Sequence, residues 1–326
     1  GTRTLSVAAP SSARRKAASL AKRRRSTARQ KVRQASRVGV ANARASMNRA
    51  LDPRHRSKAA QRAAALPLPY LALVRAPREP ITRRRMGTRI KVASYNVHRW
   101  TGMNGRKKPD PTRASYVISE LGADVIALQE VLRPEQGECP LSAIAESLGL
   151  HLTFAVTRQH RRGQLGNAIL SRFPVTAVSV IDISFSRLER RGALAVQFSG
   201  AASRLAVVAT HLSLVDRTRR RQVTSLLQHP QLQAGPAVLL GDMNTWRQCK
   251  ATQELTDVME RHHNFDWPMT FPAAAPLFAL DRVYAHRAKI LSVAAHDTPA
   301  SRRASDHLPV VAHVDVPASS REPDDL

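Results

Sequence analysis

Short apolar runs in this chain keep stopping at residues that can bind a metal ion or move a proton. The strand-like stretch Ile90-Lys91-Val92-Ala93-Ser94-Tyr95 stops at Asn96, and residues 124–129 lead to Glu130. Val207-Val208-Ala209-Thr210 stops at His211, and Ala237 to Leu240 opens onto Gly241-Asp242-Met243-Asn244. Near the C-terminus, Asp306-His307 stands at the mouth of the run that begins at Leu308. Runs this short, rich in Val, Ile and Leu and bounded by turn residues, read as buried strands. The pattern therefore demands a sheet protein with carboxylates, amides and imidazoles gathered along one edge.

The intervening sequence supplies helices to cover such sheets. Asp110 can cap a helix with Pro111 in its first turn. Ala114, Val117, Ile118 and Leu121 form one apolar stripe that Gly122 ends. Leu141, Ile144, Ala145 and Leu148 repeat the stripe, closed by Gly149. Strands are expected over 151–157, 167–171, 176–183, 193–198, 205–210, 237–240, 279–285, 290–295 and 308–316, with Asp216 capping a basic helix that reaches Gln228. This order predicts an α/β fold, a sandwich of two sheets covered by helices. About 230 residues follow Met86, enough for one sizeable core.

Charge divides the chain unevenly. Residues 1–89 hold 24 Lys or Arg against two acids, a net of +22, whereas the rest carries only +6 of the total +28. Runs such as Lys22-Arg23-Arg24-Arg25 repel one another, and little apolar surface is available to offset the entropy of ordering. Residues 1–86 thus read as a disordered basic arm, residues 87–317 as the folded domain and residues 318–326 as a polar tail. The arm admits three readings: a nucleic-acid-binding extension that releases counterions, an Arg- and Ser-rich targeting peptide, or translated upstream sequence before a true start at Met86. The longest apolar stretch, residues 63–74, contains Pro67 and Pro69 and falls short of the roughly 20 residues that a transmembrane helix needs. Cys139 and Cys249 have no metal-site spacing. The expectation is a cytoplasmic monomer.

The strand-end residues suit phosphoester chemistry. An attacking hydroxide is repelled by the phosphate charge, so catalysis needs a cation on the phosphate, a base for the water and positioned donors. Hard cations take carboxylate and amide oxygens and keep waters, which Glu130 and Asp306 could provide. Asp242 and Asn244, two residues apart, could face the same space on an extended stretch. Singly, each feature has a bland explanation: a solvated carboxylate, an Asx turn at Gly-Asp-x-Asn, or an edge histidine. Their joint occurrence at successive strand ends has none.

Seven blocks carry a resemblance: Tyr95-Asn96, Leu128-Gln129-Glu130, Gly166-Asn167-Ala168-Ile169-Leu170-Ser171, Thr210-His211-Leu212, Gly241-Asp242-Met243-Asn244, Leu280-Asp281-Arg282-Val283 and Ser305-Asp306-His307-Leu308-Pro309-Val310. In this order they resemble the endonuclease/exonuclease/phosphatase superfamily, and within it a small bacterial branch of metal-dependent hydrolases. The resemblance runs from Ile90 to about Val316. It implies a four-layer α/β sandwich of two packed mixed β-sheets flanked by helices, and Mg²⁺ or Mn²⁺ as cofactor. It also implies a metal site of Asn96, Glu130 and Asp306, and catalytic roles for His211, Asp242, Asn244, Asp281 and His307. Asn167 and Arg191 are implied near the substrate phosphate. His98 stands where relatives often carry an acid or amide. The expected activity is phosphodiester hydrolysis, nucleic acid being one substrate class and a phospholipid or sugar phosphate another. An alternative of another kind is a nucleic-acid-binding factor acting through the basic arm.

Overall fold

The computed structural model describes residues 67–80, 86–105, 108–185, 189–200, 203–259 and 266–318. The basic arm up to residue 66 and the tail beyond residue 318 lie outside the described residues. In chain order the strands are β1 (Tyr70–Arg75), β2 (Arg89–Asn96), β3 (Val125–Arg133), β4 (His151–His160), β5 (Gly163–Ser171) and β6 (Ala177–Asp182). They continue with β7 (Gly192–Ser199), β8 (Arg204–His211), β9 (Ala237–Asp242), β10 (Asp281–His286), β11 (Lys289–Ala295) and β12 (Val310–Asp315). The helices are α1 (Pro111–Leu121), α2 (Pro140–Ser147), α3 (Asp216–Leu227), α4 (Pro230–Gln233), α5 (Lys250–Val258) and α6 (Ser301–Ala304).

Two sheets pack face to face. One orders its strands β1-β4-β5-β3-β2-β12-β11, the other β10-β9-β8-β7-β6. Both are mixed: β2 and β3 run parallel, as do β8 and β9, while the remaining pairs are antiparallel. Strand alternation sorts the side chains. Ile90 and Val92 of β2 and Val125 and Ala127 of β3 enter the core shared with β7 to β10. Tyr95, Ile126 and Leu128 point the other way and meet Val117, Ile118 and Leu121 of α1. Asp110 caps α1 by accepting from the Thr112 amide, and Gly122 ends it in the left-handed conformation. On the second sheet, Val223, Leu226 and Leu255 from α3 and α5 join the core. Each fully buried Leu, Ile or Val stabilises the fold by about 1.5–3 kcal/mol.

The domain starts earlier than the charge pattern predicts. Tyr70–Arg75 pairs antiparallel with β4, so part of the segment read as disordered arm is an edge strand. Pro67 and Pro69 precede the strand instead of interrupting it, a position where a missing N–H breaks no ladder bond. The Tyr70 hydroxyl accepts from Gln164 Nε2 at 3.0 Å, and Met86 is itself buried. A chain beginning at Met86 would leave β4 as the sheet edge. The basic helix also differs in detail: Val215 is the N-cap, and Asp216 lies in the first turn, where it pairs with Arg219. No helix among the described residues is long and apolar enough to cross a membrane.

Candidate active site

Strand register assembles the first half of the site. Asp242 ends β9 opposite His211 on β8 and opposite Asp281 on β10, so three polar side chains share one rung. Gly241 makes this close pairing tolerable: its φ is +151°, and a Cβ there would lie 1.9 Å from the Thr210 carbonyl oxygen. Asn244 follows at φ 51°, a left-handed conformation that asparagine accepts more readily than most residues. Its amide N–H donates to Asp242 Oδ1 at 2.9 Å, and its Nδ2 to the Leu212 carbonyl at 2.9 Å.

The seven-stranded sheet closes over this rung. Asn96, at the end of β2, donates from Nδ2 to Asp242 Oδ2 at 3.1 Å. His307 precedes β12, and its Nδ1 lies 2.7 Å from Asp281 Oδ2, which also accepts from the Thr270 hydroxyl at 2.6 Å. His307 Nε2 and His211 Nε2 stand 3.7 and 3.4 Å from Asp242 Oδ2. The Phe271 ring packs on the His307 ring at 4.9 Å between centroids, and Ser305 Oγ anchors the loop to the Asn96 carbonyl at 2.6 Å.

Burial makes the electrostatics strong. Asp242 is pushed up to about 7, chiefly because it is removed from water and partly by the Asp281 charge. Burial alone would lower His307, but Asp281 and Asp242 outweigh it and push the imidazole up to about 10. His211 is held well below the usual histidine range by burial and by the charge of Arg191. A neutral His211, a charged His307 and a carboxylate poised near neutrality thus face one point.

Glu130 and Asp306 form a looser neighbourhood. Simple alternation along β3 would aim Glu130 toward the helices, beside Ile126 and Leu128. A bulge between Leu128 and Val131, with Glu130 at φ 52°, re-aims it. It now lines a small cleft with Asn167, Arg191 and His211. Arg99 Nε lies 3.3 Å from Glu130 Oε2, and His98 Nδ1 lies 3.1 Å from Asp306 Oδ1. Burial raises Asp306, and the Glu130 charge adds to the rise.

All ten residues singled out from sequence lie in this region, with unequal engagement. Asn96, His211, Asp242, Asn244, Asp281 and His307 interlock directly, while Glu130 and Asp306 sit alongside through Arg99 and His98. Asn167 uses its Nδ2 on the Gly192 carbonyl at 2.7 Å, and Arg191 pairs with Glu189 at 3.1 Å. Arg282 braces the rim, donating to the Ala279 carbonyl at 3.1 Å and the Thr245 carbonyl at 3.3 Å. Sequence reading missed Arg158, which lines the cleft between Glu130 and Arg191, because one arginine on a strand carries no local signal. It also missed Thr270 and Arg99. A cavity of about 860 Å³ between α3 and α5 contains none of these residues. Separately, ligand atoms of Asp242, Asp281 and His307 fall within 4.8 Å of one another and could hold a metal ion.

Comparison with known proteins agrees with this geometry. YbhP of Escherichia coli (strain K12) is 28% identical over 248 residues, covering 69% of this chain and 96% of YbhP. The crystal structure of an endonuclease/exonuclease/phosphatase from Beutenbergia cavernae superposes with a TM-score of 0.56 at 23% identity, covering 72% of each chain. A mannosyl-6-phosphatase from Bacteroides thetaiotaomicron superposes with a TM-score of 0.53 at 15% identity, covering 69% of this chain and 99% of that one. The sequence profile of the Endonuclease/Exonuclease/phosphatase family matches residues 93–307, a range that holds all ten site residues with His307 as its last position. With the profile spanning most of the chain and the site assembled from its matched segments, the protein belongs to the Endonuclease/Exonuclease/phosphatase family, whose members hydrolyse phosphoester bonds.

Proposed function

We propose that the protein is a divalent-metal-dependent phosphodiesterase that uses one activated water and forms no covalent bond with its substrate. The observation that carries this reading is the caged Asp242. Its pKa of about 7 lets it accept a proton from water near neutral pH. Asn96 Nδ2 and the Asn244 amide hold its two oxygens in place. His307, positively charged and anchored through Nδ1 by Asp281, presents Nε2 to the same space, where it can donate to a phosphate oxygen. Neutral His211 offers a further donor or acceptor.

The donor set fits a hard cation at Glu130 better than at the Asp242-Asp281-His307 cluster. In that cluster His307 Nδ1 is already committed to Asp281. Glu130 Oε2, by contrast, is buried without a hydrogen-bond partner, and the Arg99 Nε facing it is too. Asp306 and Glu130 repel each other, a conflict that a dication removes. Glu130 would hold Mg²⁺ or Mn²⁺ with Asp306 and the Asn96 carbonyl oxygen. When bound, the ion would neutralise charge growing on the phosphate.

Apolar side chains close in sequence to the site support a diester over a small monoester. Trp246, two residues after Asn244, and Leu214, three after His211, are 56% and 60% exposed and could meet the organic groups that flank the phosphorus. The test is hydrolysis of bis(p-nitrophenyl) phosphate with Mg²⁺ or Mn²⁺, followed by plasmid DNA, phospholipid and inositol phosphate. EDTA should abolish turnover, and Asp242→Asn should lower kcat by at least about 10²-fold. Turnover that survives EDTA, or a fully active Asp242→Asn, would refute the mechanism.

A further inference from the structure

Large hydrophobic side chains left in water are usually scattered singly. Here half of those among the described residues stand on three successive segments: Leu214 at 60%, Val215 at 58%, Trp246 at 56%, Met269 at 51%, Leu277 at 66% and Phe278 at 40% exposure. The first two follow His211, the third follows Asn244, and the last three bracket the turn that packs Phe271 on His307. Hydrogen bonds tie the segments into one rim. Arg219 Nη1 donates to the Leu214 carbonyl at 3.3 Å and to the Asn244 carbonyl at 2.6 Å. Arg282 Nη2 reaches the Thr245 carbonyl at 3.3 Å. The Thr270 amide donates to the Phe278 carbonyl at 2.9 Å, and the Leu308 amide to the Thr270 carbonyl at 2.8 Å. The exposed apolar tips therefore stand on hydrogen-bonded loops beside the mouth that holds Asp242 and His307.

Charge flanks the same rim. Arg217 and Arg221 on α3 and Lys250 at the start of α5 line the 860 Å³ cavity beside it, together with Phe185. Arg221 lies over the Phe185 ring at 4.3 Å. Arg220 pairs with Glu254 and Arg247 with Asp216. Among the described residues, Arg217, Arg221 and Lys250 have no carboxylate partner. Apolar tips beside unpaired cations match an anionic bilayer, which offers hydrocarbon to the tips and phosphate to the cations. A nucleic acid strand fits less well: bases stack on aromatic rings, and four of the six tips are Leu, Val or Met.

We propose that this rim docks the catalytic mouth on an anionic lipid surface, so that the diester it hydrolyses is carried by a lipid. This rests on the phosphodiesterase reading above, and the experiment separates the two. Trp246 is the exposed tryptophan: Trp100 is 1% and Trp267 8% exposed. The full chain is mixed with phosphatidylcholine–phosphatidylglycerol vesicles bearing brominated acyl chains at about 0.15 M salt. Attraction of the basic arm alone brings no bromine to Trp246, whereas insertion of the rim does. Quenching of Trp246 emission is expected. Val215→Ser and Leu277→Ser should each weaken partitioning about tenfold, with turnover of bis(p-nitrophenyl) phosphate unchanged. The proposal is overturned if quenching is absent, or if the double variant is quenched like the wild type. It is equally overturned if Trp246 responds to single-stranded oligonucleotide or to the protein's own concentration instead of to vesicles. Intact diester turnover without quenching removes only the docking surface. Quenching without any turnover removes the phosphodiesterase reading and retains the surface.

Discussion

The two sheets bring unlike halves to the site. From the five-stranded sheet, His211, Asp242 and Asp281 share one rung of regular ladder and are 6%, 1% and 0% exposed. From the seven-stranded sheet come Glu130, on a bulge at positive φ, and Asp306, in a loop, with side chains 19% and 23% exposed. The first half is dry and rigid, so its proton positions are set by neighbouring charges. The second departs from regular strand geometry, and its carboxylates face Arg99 and His98. Those two residues are themselves at positive φ, 58° and 43°. Such backbone conformations cost roughly 1–3 kcal/mol each, a strain that suits a place where an ion replaces side-chain cations. Proton transfer needs fixed geometry, whereas ion exchange needs ligands that can be released.

This contrast can be broken from the rigid side with the largest effect. His307→Ala should lower kcat/KM by about 10²-fold or more. Asp281→Asn should act differently, because Asp281 is a main cause of the raised His307 pKa. In the wild-type protein, activity should rise as pH passes about 7 and Asp242 loses its proton, then fall near 10 as His307 loses its own. Asp281→Asn should move the alkaline limb toward neutrality and, by a smaller amount, move the acid limb downward, because the Asp281 charge also helps to raise Asp242. A pH–rate profile with both limbs unmoved would remove Asp281 from its orienting role.

The looser half should answer in metal dependence more than in rate. Glu130→Gln should raise the Mg²⁺ or Mn²⁺ concentration for half-maximal activity by about 10–100-fold, with a smaller change at saturation. A loss that excess metal cannot restore would place the ion elsewhere, with the Asp242-Asp281-His307 cluster the next candidate. The smallest effect is expected at Arg99→Ala, which removes the cation competing for Glu130. Half-saturation should fall by a few-fold, as read by titration of activity or by calorimetry. An unchanged value would mean that Arg99 only braces the bulge.

Much of the fold was legible because its signals are local. Short apolar runs located β2 to β12, with β5 expected four residues too late, and Asp110 and Gly122 bracketed α1. Strand β1 was not legible: its apolar residues follow a long basic segment and two prolines, and its strand state depends on β4, about 80 positions away, offering an edge. Glu130 was found by its block, but its direction was not, since period-two counting aims it at the helices and only the bulge turns it back. Arg158, Thr270 and Arg99 enter through distant neighbours and had no pattern to betray them. The +22 net charge of residues 1–89 obscures the apolar signal of β1.

By itself, the order of residues determined that carboxylates, amides and imidazoles would stand at the ends of buried strands. Strand periodicity is a property of a few neighbouring residues. Tertiary structure alone decided that Asn96 would meet Asp242 across 146 positions and that His307 would meet Asp281 across 26. Those meetings depend on register and on the stacking of two sheets, and burial there shifts the pKa values of Asp242 and His307. No isolated segment can carry that, because the shift arises from water excluded by the whole fold.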